Sequence, residues 1–170
     1  DGNVTRLRAG SGEIVWRKLL SSTREDGILP IHADPVVHNG VIYVGSINGS
    51  VLALDYDDGT ILWEYRAEDA IESTLAIEEG RIFFTDTREI LYALDAETGK
   101  LLWRFQRPTP EFFTIKGAGT PVVDGDAVYC GFADGTLVAV QCDTGEIIWT
   151  SDLTNEQVEF TDIDMPVIIG

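Results

Sequence analysis

With 170 residues, 44% of them hydrophobic and 24% charged, the chain has the make-up of a core-forming protein and not of a disordered one. Twelve Lys and Arg against 29 Asp and Glu leave a formal net charge of −17. That charge repels phosphate backbones and anionic bilayers, which sets nucleic acid aside as a partner, and no apolar run reaches the ~18 residues of a membrane-crossing helix.

Taken in chain order, short apolar runs bounded by Gly, Asp and Asn recur, and they read as strands. The first copy of the recurring unit is incomplete and closes on Gly12-Glu13-Ile14-Val15-Trp16. Next come Asp34-Pro35-Val36-Val37, Gly40 to Val44, Val51 to Asp55 and Gly59 to Trp63. The same four runs return as Thr74 to Ile77, Gly80 to Phe84, Leu91 to Asp95 and Gly99 to Trp103. They return again as Thr120 to Val123, Gly125 to Tyr129, Val138 to Cys142 and Gly145 to Trp149. The tryptophans Trp16, Trp63, Trp103 and Trp149 are 47, 40 and 46 residues apart, each preceded by Gly four positions earlier.

Four short antiparallel strands per period describe the blades of a β-propeller, because one such sheet cannot bury both faces and must stack on neighbours. The expected fold is therefore all-β, a β-propeller of four-stranded antiparallel blades, over residues 33–66, 73–106 and 119–151. Partial blades are expected over 1–22 and 161–170, where Met165 to Gly170 matches the first strand beginning at Thr120. Two arrangements suit these bounds: part of a larger ring, or a four-bladed ring whose last blade is shared between the termini. Asn48-Gly49 and Asp134-Gly135 read as two-residue hairpins with both residues at positive φ. Arg88-Glu89 holds the equivalent place, so a different turn is expected there.

The period carries a signature. Ala93, Asp95, Thr98, Gly99 and Trp103 resemble the tryptophan-docking motif of the PQQ-like (quinoprotein-type) β-propeller superfamily, Ala-x-Asp-x-x-Thr-Gly-Lys-x-x-Trp. Ala53, Asp55, Gly59 and Trp63 repeat it with Asp58 for the Thr. Ala139, Thr144, Gly145 and Trp149 repeat it with Gln141 for the Asp, and the first copy keeps Gly12 and Trp16 with Ser11 for the Thr. The resemblance implies a propeller, commonly eight-bladed, whose Trp packs between blades. It implies an extracytoplasmic location and two functional classes. One is non-catalytic, BamB-like scaffolds of outer-membrane assembly, which need no cofactor and bind another protein. The other is dehydrogenases that hold pyrroloquinoline quinone (PQQ) and Ca at the propeller axis; a sensor or ligand-binding propeller is a third reading.

Chemistry is sparse outside the motif. Cys130 and Cys142 lie twelve apart, unlike the adjacent Cys pair of the quinone enzymes, and read as small buried hydrophobes, with a bridge between neighbouring strands as the alternative. Asp55-Tyr56-Asp57-Asp58-Gly59 superficially resembles a calcium loop, but Arg66 stands where an EF-hand needs Glu. That stretch and Asp162-Ile163-Asp164 read as solvated turns. His32 and His38 lack ligand spacing. No catalytic, cofactor or metal residue is therefore assigned. The irregular stretch from Arg107 to Gly117 carries Phe112 and Phe113, either a partner contact or an inter-blade lid. The charge leads to one more expectation, that stability rises with salt.

Overall fold

The computed structural model describes residues 2–20, 31, 33–107 and 119–153. Every regular element among them is a strand. These are β1 (Asn3–Leu7), β2 (Ile14–Leu19), β3 (Val36–His38), β4 (Val41–Gly45), β5 (Ser50–Asp55), β6 (Ile61–Arg66) and β7 (Ala76–Glu78). They continue as β8 (Arg81–Thr85), β9 (Leu91–Asp95), β10 (Leu101–Phe105), β11 (Val122–Asp124), β12 (Ala127–Gly131), β13 (Thr136–Gln141) and β14 (Ile147–Asp152). Each whole blade is an antiparallel meander in chain order, β3-β4-β5-β6, β7-β8-β9-β10 and β11-β12-β13-β14, with β1-β2 a two-stranded sheet before them. The molecule is a partial β-propeller.

The turns place positive φ differently from the sequence reading. The two-residue hairpins join the first and second strands of each blade. Asn39 (φ 48°) and Gly40 (77°), and Glu79 (47°) and Gly80 (75°), are left-handed at both central positions, as a type I′ turn requires. At 48–49 and 134–135 only the glycine is left-handed, closing a three-residue loop. Its amide donates three residues back, Gly49 to Ser46 at 3.0 Å and Gly135 to Phe132 at 2.9 Å. Glu89 makes the same bond to Asp86 at 3.0 Å with φ 64°. The second blade therefore uses the same turn, and a side chain accepts strain where its neighbours have Gly.

Each outer strand carries a β-bulge. Ala53 pairs with Trp63 while Leu54 pairs with Ile61, leaving Leu62 without an opposite residue. Val15, Leu102 and Ile148 hold the same place. The extra residue resets the alternation so that the following Trp turns toward the next blade, and the four aliphatic bulge residues are left exposed.

The cores lie between blades, since each sheet is apolar on both faces. Tyr43, Val51 and Ala53 of the first whole blade pack on Ile82, Phe84, Tyr92 and Leu94 of the second. Phe83, Leu91 and Ala93 then pack on Val128, Cys130, Val138 and Val140 of the third. Val4 and Leu20 meet Ile42, Val44, Leu52 and Leu54. A side chain as fully enclosed as Phe83 or Phe84, both 0% exposed, contributes roughly 1.5–3 kcal/mol by burial.

Candidate functional site

The conspicuous site is the blade junction, built from the turn between the third and fourth strands. In the second blade the Asp95 carboxylate accepts from the Thr98 hydroxyl at 2.6 Å and its amide at 2.8 Å. Gly99 N donates to the Asp95 carbonyl at 2.8 Å. The hydroxyl and amide of Thr98 hold the Asp95 carboxyl below the usual carboxylate range. In the first whole blade Asp55 accepts from the amides of Asp57 (2.8 Å) and Asp58 (3.2 Å). The Asp58 carboxyl, lowered by its hydrogen bonds from Thr60, takes up the work of the missing Thr by accepting from Thr60 N at 2.7 Å. In the third, Gln141 substitutes for Asp by accepting from the Thr144 hydroxyl at 3.0 Å.

Each turn receives the tryptophan of the blade before it. Gly59, Gly99 and Gly145 have φ of 71°, 68° and 70°. A Cβ on Gly99 would lie 2.6 Å from Trp63, one on Gly145 2.7 Å from Trp103, and one on Gly59 3.1 Å from Trp16. Glycine is thus needed for the backbone and for the approach of the indole. The indole N–H donates to a turn carbonyl: Trp16 to Tyr56 at 3.1 Å, Trp63 to Ala96 at 3.1 Å, Trp103 to Cys142 at 2.8 Å. Ala53, Ala93 and Ala139 sit directly opposite Trp63, Trp103 and Trp149 and are fully buried. Trp149 packs on Tyr129 at 5.8 Å between ring centroids but is 40% exposed. Gly12 (φ 71°), at the other end of the row, has nothing within 4 Å of a built Cβ.

A second feature closes the junctions on the opposite face. Arg107 follows β10 and is 11% exposed; its guanidinium pairs with Glu89 at 3.2 Å and with Asp134. It donates to the Thr136 hydroxyl at 3.2 Å and lies 4.4 Å over the Phe132 ring. Burial opposes the charge of Asp134, yet its hydrogen bonds from Arg107 and Thr136 hold the carboxyl below its ordinary value. One junction earlier, Asp86 accepts from Tyr92 Oη at 2.9 Å and from the amides of Arg88 and Ile90 at 3.0 Å each, while burial pushes its carboxyl up. Glu68 pairs there with Arg88 at 2.9 Å and with Arg104.

The cysteines are free and buried. Burial pushes the Cys130 thiol up to about 12, so it stays protonated and unreactive at neutral pH, and Cys142 contributes its carbonyl to Trp103. His38 ends β3 beside the Asn39 amide, 2.9 Å away. Phe112, Phe113, His32, Asp162 and Asp164 lie outside the described residues, as do residues 161–170. Sequence reasoning missed Arg107 and Glu89 as a pair. It also missed Tyr43, Phe83 and Tyr129, the rings beneath the tryptophans. A signal for the rings existed, since each precedes its Trp by 20 residues.

The comparisons with known proteins fit this geometry. The family model described as "Outer membrane protein assembly factor BamB" matches residues 1–170. The BamB of Legionella pneumophila (strain Paris) is 27% identical over 158 residues, 91% of this chain and 39% of the relative. The BamB of Nitrosomonas eutropha is 28% identical over 99% of this chain and 40% of the relative. Among solved structures, BamB from Moraxella catarrhalis superposes with a TM-score of 0.68 at 24% identity, covering 88% of this chain and 42% of that one. A europium-containing methanol dehydrogenase superposes with a TM-score of 0.61 at 29% identity, covering 72% and 25%. The chain spans about two-fifths of the length of the curated relatives it matches. With a match along its full length and a docking turn in every blade, the chain belongs to the family of the outer membrane protein assembly factor BamB.

Proposed function

We propose that the chain is a non-catalytic propeller module that acts as a protein-interaction scaffold in outer-membrane protein assembly, on the extracytoplasmic side. The observation that carries this reading is where its buried polar groups are spent. Ser46, Ser50, Ser73, Thr85, Asp86 and Glu89 are the buried polar side chains of the described residues. Each bonds within a turn or to an adjacent element. The docking-motif residues, from Gly12 and Trp16 to Gly145 and Trp149, act in this reading as packing elements. The rigid stack then presents loops, and the stretch holding Phe112 and Phe113 supplies the partner contact. Loops positioned by a rigid scaffold and carrying aromatic anchors are the usual seat of protein recognition.

The likeness to a methanol dehydrogenase at 29% identity supports a second reading, a quinone-dependent dehydrogenase module holding PQQ and calcium. Titrating the full-length protein with PQQ, with and without Ca²⁺, separates the two. The scaffold reading expects no saturable absorbance change and no dye-linked alcohol oxidation; stoichiometric binding with turnover overturns it. Crosslinking in the cell envelope supplies the positive arm. Envelope proteins should be captured by the wild type and lost with the Phe112→Ala/Phe113→Ala double variant.

A further inference from the structure

Three asparagines fall among the described residues, Asn3, Asn39 and Asn48, and the last two precede glycine. In an Asn-Gly pair the next backbone nitrogen reaches the side-chain amide most readily, because glycine puts no side chain in the path. The two pairs stand in opposite surroundings. Asn48 is half-buried and Gly49 buried. The Gly49 amide is committed to the Ser46 carbonyl at 3.0 Å, and the Asn48 side-chain oxygen accepts from the Ser46 hydroxyl at 2.5 Å. The Asp69 and Ala67 carbonyls crowd the same turn, 2.8 and 3.3 Å from a Cβ built on Gly49. Asn39 and Gly40, by contrast, are both exposed. A Cβ on Gly40 would have nothing within 4 Å, and the Gly40 amide makes no hydrogen bond among the described residues. The Asn39 side-chain nitrogen faces His38 Nε2 at 2.9 Å.

We infer that Asn39 is a site of spontaneous modification, cyclising onto the Gly40 nitrogen and opening to aspartate or isoaspartate, while the turn at Asn48 protects it. The Gly40 nitrogen gives up its proton to solvent and bonds to the side-chain carbonyl carbon of Asn39. The bond from that carbon to Nδ2 breaks, and the nitrogen leaves as ammonia with a proton from His38 or water. Water then adds to one carbonyl of the resulting succinimide. Opening at the side-chain carbonyl leaves an aspartate. Opening at the main-chain carbonyl leaves an isoaspartate, whose backbone runs through the former side chain and is longer by a methylene.

The consequence reaches a blade junction. The Gly40 carbonyl accepts from Tyr56 N at 3.0 Å, and the Tyr56 carbonyl accepts from the Trp16 indole at 3.1 Å. Asn39 and Gly40 are both left-handed, as their two-residue turn requires, and an added methylene breaks that geometry. Isoaspartate there loosens the brace of the docking turn that receives Trp16. The matching braces, Ala96 N to Gly80 O at 2.8 Å and Cys142 N to Asp126 O at 2.9 Å, follow turns without asparagine.

Ageing the full-length protein in warm, mildly alkaline buffer, followed by mass spectrometry of the peptides holding each pair, tests this. A urea-unfolded sample serves as the clock, since both pairs are free in it. Asn39 should convert in the folded protein at close to the unfolded rate, with isoaspartate among the products. Asn48 should convert at least about ten-fold more slowly folded than unfolded, because its turn must first open. Aged protein should also show faster exchange of the Trp16 indole N–H, with Trp63 and Trp103 unchanged. Asn39→Gly, which keeps the left-handed turn, should abolish both the conversion there and the change at Trp16. Asn39 intact in the folded protein while the unfolded chain converts overturns the inference, as does folded Asn48 converting as fast as Asn39. Unchanged Trp16 exchange in fully converted protein overturns the link to the junction.

Discussion

The junction between the first and second whole blades and the junction between the second and third share one docking device and differ in how they are sealed. At the first, the Ala96 carbonyl accepts from both the Trp63 indole and the Tyr43 hydroxyl at 3.1 Å each. Its opposite face is closed by small Ala67 and by Phe84 stacked on Tyr92 at 4.9 Å, with the Glu68 pairs to Arg88 and Arg104 lying exposed at its rim. At the second, Phe83 has no hydroxyl to offer, so Cys142 accepts from Trp103 alone. There Arg107, at the position of Ala67, clamps Glu89 and Asp134. Docking by a Gly turn is thus indifferent to what closes the other face. An apolar seal draws on burial. An ionic one draws on mutual satisfaction, and it fails badly when one partner is removed.

The largest effect is expected at the apolar seal. Phe84→Ala should cost roughly 3–5 kcal/mol by opening a cavity beneath Tyr92, read as a lowered denaturation midpoint at unchanged m. At the ionic seal, Arg107→Met removes the cation that Glu89 and Asp134 share and should cost about 3 kcal/mol. Replacing Arg107, Glu89 and Asp134 together by apolar residues should recover most of that loss. If the single and triple variants were equally unstable, the clamp would not be electrostatic.

A smaller pair of substitutions sharpens what the two junctions share. Gly80 and Gly99 have φ of 75° and 68°, but only Gly99 lies against an indole. Gly80→Ala should cost only the left-handed backbone, about 1–2 kcal/mol. Gly99→Ala should cost more than that and shift the Trp63 fluorescence, and equal costs would remove the steric part of the argument.

Acid should separate the seals as well. Asp134 has its carboxyl below the ordinary value in the folded state. The stability it contributes is therefore full above the unfolded value of ~3.9 and lost as pH falls through the lower folded value. The gap between wild type and Arg107→Met should narrow as pH is taken below about 4. A constant gap down to acid unfolding would contradict the pairing. Salt gives the smallest effect. Screening of the net −17 should raise the thermal midpoint of wild type from low to molar KCl. The climb should be steeper for Arg107→Met, which lacks the Arg107 pairs that salt weakens, and a flat wild-type profile would reject the charge argument.

Much of this was legible in the sequence, for a physical reason. A blade cannot bury itself, so the pressure to stack repeats in every period and writes Gly, Trp and alternating apolar runs at fixed offsets. The register of all four tryptophans follows from that. The hairpins were misplaced because Asn-Gly and Asp-Gly satisfy two turn types equally well. The loop's length, set by pairs such as Gly45 with Val51, decides between them. Glu89 was hidden because a left-handed Glu breaks the local rule, and Arg107, which holds it, lies 18 residues away in sequence. Gln141 read as a departure from the motif, yet an amide oxygen accepts from Thr144 as a carboxylate does. The openness of Trp149 could not be read from its motif, which is as complete as that of Trp63. It depends on what lies across the face.

The central claim is that indole-on-glycine docking joins the blades. Hydrogen exchange of the four indole N–H groups, followed by NMR in dilute protein at low salt, tests it most directly. The account predicts slow exchange for Trp16, Trp63 and Trp103, whose N–H groups are held at 3.1, 3.1 and 2.8 Å, and fast exchange for Trp149. Exchange of Trp63 or Trp103 as fast as that of Trp149 would contradict it.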